Sequence, residues 1–171
     1  MEITTDLKKF FQKILETALD IIPGESGSIL LRREDKLHYV ATVGFPMDRF
    51  EKVIFSYANH PIIDAVKFTK KRAIIMKGEV LSKLDEQRTN NTDIGEEGLE
   101  ILKKFANLPK VHSVLVIALF GKGNVHNPDQ EIFGLLSIDN HKRLFSQEDL
   151  AKISQYVEIA DYAIEKFLET N

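Results

Sequence analysis

Cysteine is missing from all 171 residues of the sequence. Its absence removes disulfide bonds, thiolate catalysis, zinc–thiolate sites and thioether-linked chromophores, because each of these requires a cysteine sulfur. We therefore expect no covalent chromophore on this chain. Any bound molecule would have to be held by other side chains.

Long apolar runs and segregated charge are also missing. No apolar run approaches the roughly 20 residues that span a bilayer, and residues 1–20 carry acids and lysines within their apolar pattern, unlike a signal peptide. The 23 Lys and Arg residues are interleaved with 26 Asp and Glu residues, for a net charge of −3, which leaves no basic patch for nucleic acid. We expect a cytoplasmic chain with no membrane partner and no nucleic-acid partner.

The strongest local signals lie between residues 113 and 149. An apolar, β-branched run at 113–120 predicts a central strand, and the Gly121-Lys122-Gly123 turn should end it. A second run at 131–139 predicts a strand that pairs antiparallel with the first. Ser146 and Asp149 then have the spacing of a capping box, flanked by Phe145 and Leu150 as a hydrophobic staple. A helix should therefore run from 147 to about 169.

The rest of the chain adds a first helix and four more strands. Apolar residues recur at helical spacing over 5–22, with Thr5 or Asp6 near the helix start, and Pro23-Gly24 ends the pattern. Strands are predicted at 27–32, 36–43, 52–57 and 72–77, with a short helix after His60-Pro61. The long excursion at 78–112 is predicted to contain a mobile loop at 88–95 and a helix from about 96 that ends at 108–109.

This order of elements predicts an α+β fold in a single domain, 1–171. One six-stranded antiparallel sheet should carry the two terminal helices on one face. The short helix and the 78–112 excursion should cover the other face, where a cavity could form.

Three segments in the right order resemble the GAF domains, which are sensory relatives of PAS domains. They are IIPGESGSILLRREDKLHYVATVGFP at 21–46, HSVLVIALFG at 112–121 and FGLLSIDNHKRLFSQEDL at 133–150. The resemblance covers nearly the whole chain and implies a GAF-like six-stranded sheet. It also implies terminal helices that often dimerise and a pocket for a small molecule on the opposite face. Members of that family bind cyclic nucleotides, tetrapyrroles, haem, iron centres or small metabolites, and others bind nothing.

The ligand class stays unknown at this point, with a small metabolite or a nucleotide as the expected classes. The cyclic-nucleotide pattern of the family is only partly present, because His141 separates Asn140 from Lys142 and the acids after Phe145 are reversed. The missing cysteines exclude bilin attachment and the thiol chemistry of the methionine sulfoxide reductase branch. No histidine spacing predicts a metal site: His38, His126 and His141 should be exposed, and His60 and His112 should lie near the cavity rim.

Position and alternation predict the walls of a ligand pocket. The candidate residues come from the third strand, the short helix, the fourth strand and the central strand: Phe55, Tyr57, Asn59, His60, Ile62, Ile63, Ile74, Met76, His112, Ser113, Leu115 and Ile117. The alternative is that the apolar members of this set simply fill a closed core.

The leading functional hypothesis is a sensory, signal-transduction domain that binds a small molecule and acts on an effector through dimer helices. Tyr156, Ile159 and Tyr162 lie off the main apolar face of the last helix, which predicts a homodimer. The effector would be a domain or protein of the cyclase, kinase or phosphodiesterase type. The alternative is a ligand-free dimerisation scaffold. An enzyme is least favoured, because no catalytic set of acid, base and nucleophile can be named.

Overall fold

The computed structural model describes residues 2–91, 94–107, 110–120 and 131–170. The predicted turn at 121–123, His126 and the predicted helix end at 108–109 lie outside these residues. The elements are, in chain order, α1 (Thr5–Ile21), β1 (Ser26–Arg33), β2 (Lys36–Val43), α2 (Met47–Phe50), β3 (Ile54–Ser56), α3 (Pro61–Thr69), β4 (Ala73–Lys77), α4 (Glu79–Thr89), α5 (Gly95–Phe105), β5 (Ser113–Leu119), β6 (Gly134–Asn140) and α6 (Gln147–Thr170).

The strands of the described chain form one six-stranded sheet in the order β3-β2-β1-β6-β5-β4, and every neighbouring pair is antiparallel. β5 and β6 pair as the sequence predicts, with Leu115 opposite Ile138 and Ile117 opposite Leu136. β1 joins β6 across the centre of the sheet, although more than a hundred residues separate them along the chain. The α+β architecture is therefore confirmed.

Each face of the sheet has its own apolar core. On one face, side chains of α1 and α6 such as Phe11 and Val157 pack against alternate residues of β1, β5 and β6. On the other face, Phe50, Ile63 and Leu102 from the shorter helices pack against the remaining alternate residues. The predicted division is confirmed: the terminal helices cover one face, and the segment from α2 to α5 covers the other.

The terminal helices are fixed by their caps and by each other. The Asp149 N–H donates to Ser146 Oγ at 3.1 Å and the Ser146 N–H donates to Asp149 Oδ2 at 2.8 Å, so the predicted capping box is present. α1 begins at Thr5, as predicted, and Thr4 provides its N-cap by accepting from the Leu7 N–H at 3.1 Å. The Tyr156 hydroxyl donates to the Ile14 carbonyl at 3.0 Å. Tyr156 therefore belongs to the packing between α1 and α6.

Two predictions for the middle of the chain are wrong. The mobile loop predicted at 88–95 is shortened by α4, which continues through Thr89 and buries Leu81, Leu84 and Arg88 on one side. The spacing of these three residues is helical, but one of them is charged, so the apolar signal was too weak to identify the helix. β3 is shorter than the predicted 52–57, because the Lys52 and Val53 N–H groups donate to carbonyls at the end of the short helix α2.

β2 contains a bulge and an edge that is closed by a side chain. Ile29 pairs with Ala41 and Leu30 pairs with Tyr39, so Val40 is an extra residue and the alternation of side chains along β2 is interrupted there. β3 pairs only with residues 36–38 of β2. Further along β2, the side-chain amide of Gln12 donates to the Thr42 carbonyl at 2.8 Å and accepts from the Thr42 N–H at 3.2 Å.

Candidate ligand-binding site

A cavity of ≈ 40 Å³ lies between the sheet and the shorter helices. We call the strand residues that line it the sheet wall: Ser28, Leu30, Tyr39, Phe55, Val114, Ser137 and Asp139. We call the others the helical wall: Phe45, Phe50, His60, Ile62, Leu84, Arg88 and Ala106. Because one water molecule needs about 10–15 Å³ of such a cavity, there is room for only about three waters or a ligand of similar size.

The central strand turns a different set of residues to the cavity from the one predicted. Val114, Val116 and Ala118 belong to the cavity-side core, whereas Leu115 and Ile117 pack under the terminal helices. Every residue of β5 is buried. An apolar run buried on both faces predicts a strand but carries no information about which residues face which side. The predicted wall positions of Leu115 and Ile117 are therefore wrong by one step of the alternation.

Ser113 is buried away from the cavity. Its hydroxyl accepts from the Phe145 N–H at 3.0 Å and donates to the Arg143 carbonyl at 3.2 Å. It therefore fixes the turn that leads into α6.

The remaining predicted wall residues fall into three groups. Three line the cavity itself: Phe55, His60 and Ile62. Four pack in the apolar cluster around it: Tyr57, Ile63, Ile74 and Met76. Two are exposed: Asn59 and His112.

Arg88 is the charged group of the helical wall. Only 6% of its surface is exposed, and its Nη2 donates to Asp85 Oδ1 at 3.0 Å and to the Ala106 carbonyl at 2.8 Å. Its Nε–H finds no hydrogen-bond partner among the described residues. A buried donor without a partner costs about 1–3 kcal/mol, and more when the group is charged. Arg88 therefore presents a free donor in a cavity wall.

His60 presents a second free donor. It is fully buried at the N-cap of α3, where its Nδ1 accepts from the Ile62 N–H at 3.3 Å. Burial, together with the charge of Arg88, lowers the pKa of His60 to about 3, so the ring is neutral at physiological pH. Because Nδ1 accepts, the proton of the neutral ring lies on Nε2. This Nε2–H has no partner in the part of the chain that the structure describes.

Asp139 is the acid of the sheet wall. Its Oδ2 accepts from the Ser26 hydroxyl at 3.1 Å, and only 7% of the residue is exposed. Burial raises the pKa of Asp139 to about 6, although the Ser26 hydrogen bond and the charge of Arg88 oppose this rise. Burial also raises the pKa of the neighbouring Tyr39 hydroxyl. Asp139 is therefore ionised at neutral pH but titrates well above the usual range of a carboxyl group.

Together these groups form a small polar set around an apolar cavity. Two residues with buried, unpaired donors and one aspartate line a small, mainly apolar cavity, which is the usual composition of a ligand pocket. No three His, Asp or Glu side chains within the described ranges are placed to hold a metal ion. The sequence did not reveal Arg88 or Asp139 as site residues. The first was assigned to a loop and the second only marked the end of a strand.

Comparisons with known proteins identify the fold. No family model matches the sequence, and no curated protein matches it either. Among solved structures, the GAF domain/HD domain protein from Geobacter sulfurreducens has a TM-score of 0.63, with 10% identity and 100% of both chains covered. The chain has the fold of a GAF domain.

Two further structures show that proteins with the GAF fold differ in function. The type II free methionine-R-sulfoxide reductase from Thermoplasma acidophilum has a TM-score of 0.60 and 16% identity, with 98% of this chain and 97% of that chain covered. A phycoerythrobilin-bound GAF domain from a cyanobacterial phytochrome has a TM-score of 0.61 and 15% identity, with coverage of 98% and 90%. The first is an enzyme and the second holds a bilin. The GAF fold alone therefore does not separate a catalytic protein from a binding protein.

The expectation that this chain carries no covalent chromophore is contradicted by similar structures of the same fold. The phytochrome GAF domain holds phycoerythrobilin, and further similar structures are chromophore-binding domains of the same kind. A missing cysteine removes one type of attachment, the thioether. It does not change the shape of a fold that accommodates bilins elsewhere, so the composition argument was too broad.

No helix of the described residues combines the length and the apolar character that a bilayer span requires.

Proposed function

We propose that this chain is a small-molecule-sensing regulatory domain that binds its ligand between the sheet wall and the helical wall. The observation that carries the proposal is that Arg88 and His60, which both line one cavity, each have a buried donor without a described partner. Buried polar groups in folded proteins are nearly always paired. A ligand with acceptor atoms would pair both donors and would remove their desolvation cost.

The path from the cavity to α6 is short. Asp139 is followed by Asn140, whose Oδ1 accepts from the Lys142 and Arg143 N–H groups at 2.9 Å each. The Ser113 hydroxyl holds the next part of the turn by accepting from the Phe145 N–H. Because this turn leads directly into α6, a displacement of Asp139 on ligand binding would reach the helix without crossing a flexible linker.

The output surface of the proposal is the solvent side of α6. Ile159 is 71% exposed and Tyr162 is 73% exposed on the terminal helix, and paired apolar side chains in such a position suit a contact between two copies. In this proposal a homodimer forms through α1 and α6. It passes the ligand signal to an effector of the cyclase, kinase or phosphodiesterase type.

A charge substitution tests the dimer. Ile159→Glu should convert a dimer at tens of micromolar into a monomer in light scattering, because it would bury a charge in the interface. Gln155→Glu adds the same charge at another exposed position of α6 and should leave the mass unchanged. A wild-type monomer at that concentration would contradict the dimer.

The second candidate function is a ligand-free dimerisation scaffold. The volume of ≈ 40 Å³ favours it, because ligand pockets are commonly about 300–1,000 Å³. In that case the free donors would be paired only by water.

Thermal-shift screening separates the two functions, since a ligand that binds only the folded state must raise its stability. The library should contain organic acids, amino acids, nucleotides and tetrapyrroles. A true pocket ligand should raise the melting temperature of the wild type but not that of Arg88→Met. Lys83→Met removes the same charge from the exposed side of α4 and should keep the shift. A complete lack of stabilising compounds would support the scaffold.

A further inference from the structure

The two edges of the sheet differ in how their outward backbone groups are bonded. At the β3 edge, Asn91 accepts from the Ser56 N–H at 2.9 Å and donates to the Ser56 carbonyl at 3.5 Å, and Gln12 bonds both backbone groups of Thr42 in the same way. At the opposite edge, β4 is the last strand and pairs only with β5. No side chain among the described residues bonds the outer side of β4. Side chains therefore close one edge and leave the other open.

The register of β4 identifies its open groups. The Arg72 carbonyl accepts from the Ala118 N–H at 2.9 Å, so Arg72 is a bonded position of the ladder between β4 and β5. In an antiparallel pair, residues that bond across the ladder alternate with residues that do not. The N–H and C=O groups of Ala73, Ile75 and Lys77 therefore point away from β5.

The exposure of side chains agrees with an open edge. Ala73, Ile74 and Ile75 are only partly buried, whereas every residue of the neighbouring β5 is buried. The helices before and after β4 in the chain carry Phe68, which is 89% exposed, and Val80, which is 53% exposed. Exposed apolar side chains that flank an open strand offer contact area to a partner.

The charges next to β4 restrict the kind of partner. Lys70 and Lys71 precede the strand, Lys77 ends it, and all three are exposed. Within the described ranges none of the three forms an ion pair. Lysines on an edge strand oppose pairing with a second copy of the same edge, because like charges would meet. They favour a strand that carries carboxylates.

We infer that the open edge of β4 accepts an extended, acidic segment of a partner protein as a seventh strand. The segment would bond the outward N–H and C=O groups of Ala73, Ile75 and Lys77, which is the mode of recognition called β-strand addition. Carboxylates at its ends would pair with the lysines. No residue of β4 lines the cavity, so this surface goes beyond the proposed function and does not depend on it.

A designed peptide tests the inference on the whole chain. The probe has five alternating valine and threonine residues with two acids at each end, and a matched probe carries lysines in place of the acids. In fluorescence anisotropy at low salt, the acidic probe should bind about tenfold or more tightly than the lysine probe. Equal binding of the lysine probe would overturn the inference. So would a lack of binding of the acidic probe at about 1 mM.

Amide hydrogen exchange locates the added strand. In the free protein the Ile75 N–H should exchange fast and the Ile74 N–H slowly, because only Ile74 bonds to β5. The acidic probe should slow the exchange of Ile75 about tenfold or more and change that of Ile74 little. If Ile75 is already protected in dilute free protein, the edge is closed. If its protection rises with protein concentration alone, the edge binds a second copy. Either result would overturn the inference.

Charge variants test the contribution of the lysines. Lys71→Glu with Lys77→Glu should weaken binding of the acidic probe about tenfold or more. Lys9→Glu with Lys103→Glu changes the net charge equally at exposed positions of α1 and α5 and should leave binding nearly unchanged. Equal melting temperatures of the two variants would show that both are folded. Equal weakening in both would show attraction by the overall charge alone and would overturn the assignment to β4.

Discussion

Asp139 lowers the stability of the folded protein. It is buried, and the only described hydrogen bond of its side chain is from the Ser26 hydroxyl. An asparagine could accept that bond without a charge. A residue that costs stability and has no structural need for its charge is what a binding site is expected to contain.

The pH dependence of stability should reveal this cost. An aspartate in the unfolded chain ionises near pH 3.8, whereas Asp139 in the folded protein titrates at about 6. Between these values the folded state holds a proton that the unfolded state has released, so the free energy of unfolding falls as pH rises. Asp139→Asn removes this slope. The variant should be more stable than the wild type by on the order of 1–3 kcal/mol above pH 7, and the difference should shrink towards pH 4.

The difference between variant and wild type is the quantity to follow in denaturant titrations. The pKa of His60 is lowered to about 3, so the unfolded state binds a proton near pH 6.5 that the folded state does not bind. Its contribution therefore rises with pH and opposes that of Asp139 in the raw curves. A variant that was less stable than the wild type at pH 8 would contradict the assignment of Asp139.

Single residues of the site were predictable only where the local pattern was informative. His60 could be predicted because His-Pro before an apolar helical pattern places it next to a helix start on the covered face. Arg88 and Asp139 could not. What defines them is burial by segments distant in sequence and the absence of a partner, and neither property can be read from neighbouring residues.

At the scale of elements, the start of α6 is the best-specified feature. Ser146→Ala should lower the free energy of unfolding by about 1 kcal/mol, because the Asp149 N–H loses its acceptor. Ser154→Ala is the matched control within the same helix. Its hydroxyl only donates back to the Leu150 carbonyl at 2.7 Å, a bond that does not support the helix. Equal losses for the two variants in chemical denaturation would contradict the role of the cap.

Elements with a long apolar pattern were predicted well, and those with a short or weak one were not. α1, β5, β6 and α6 have long apolar patterns, and their existence and pairing followed from the sequence. α4 has only two buried leucines besides Arg88, and the bulge at Val40 changes the phase of β2. Tertiary contacts decide which side chains of a strand face each side of the sheet and whether a weakly apolar segment forms a helix. A local sequence pattern does not contain these contacts.

At the scale of the whole molecule, Arg72 connects the edge of the sheet to the terminal helix. Its Nε donates to the Ala118 carbonyl at 2.9 Å, and its Nη2 forms an ion pair with Asp161 of α6. Asp161 is 4% exposed. Burial raises the pKa of Asp161, and the charge of Arg72 opposes this rise. The pair therefore links β4, β5 and α6 at one point.

Removing one partner of this pair should cost much more than removing both. Arg72→Met leaves the buried Asp161 carboxylate without its cation and should lower the free energy of unfolding by about 3–5 kcal/mol at pH 7.5. The double variant Arg72→Met with Asp161→Asn should recover a large part of that loss. A double-mutant cycle from urea denaturation measures this coupling. Additive losses would show that the pair does not act as a unit.

The arrangement of layers was predictable as a whole, because every apolar pattern had to be buried on one of two faces of a single sheet. The position of the cavity followed from that arrangement, since the irregular middle of the chain had to cover the second face. The residues that line the cavity did not follow, because they depend on which side chains of β5 face it and on where α4 ends.

The contact of Gln12 with Thr42 has a consequence for solubility. Beyond the short strand β3, the N–H and C=O groups of β2 would be open to pairing with a strand from another molecule, which is a common route to aggregation. The Gln12 amide occupies both groups of Thr42 as a neighbouring strand would. Gln12→Ala should therefore change the melting temperature little while increasing the turbidity of concentrated, warmed samples. The Gln12 side chain, which belongs to a helix outside the sheet, therefore protects this edge against self-association.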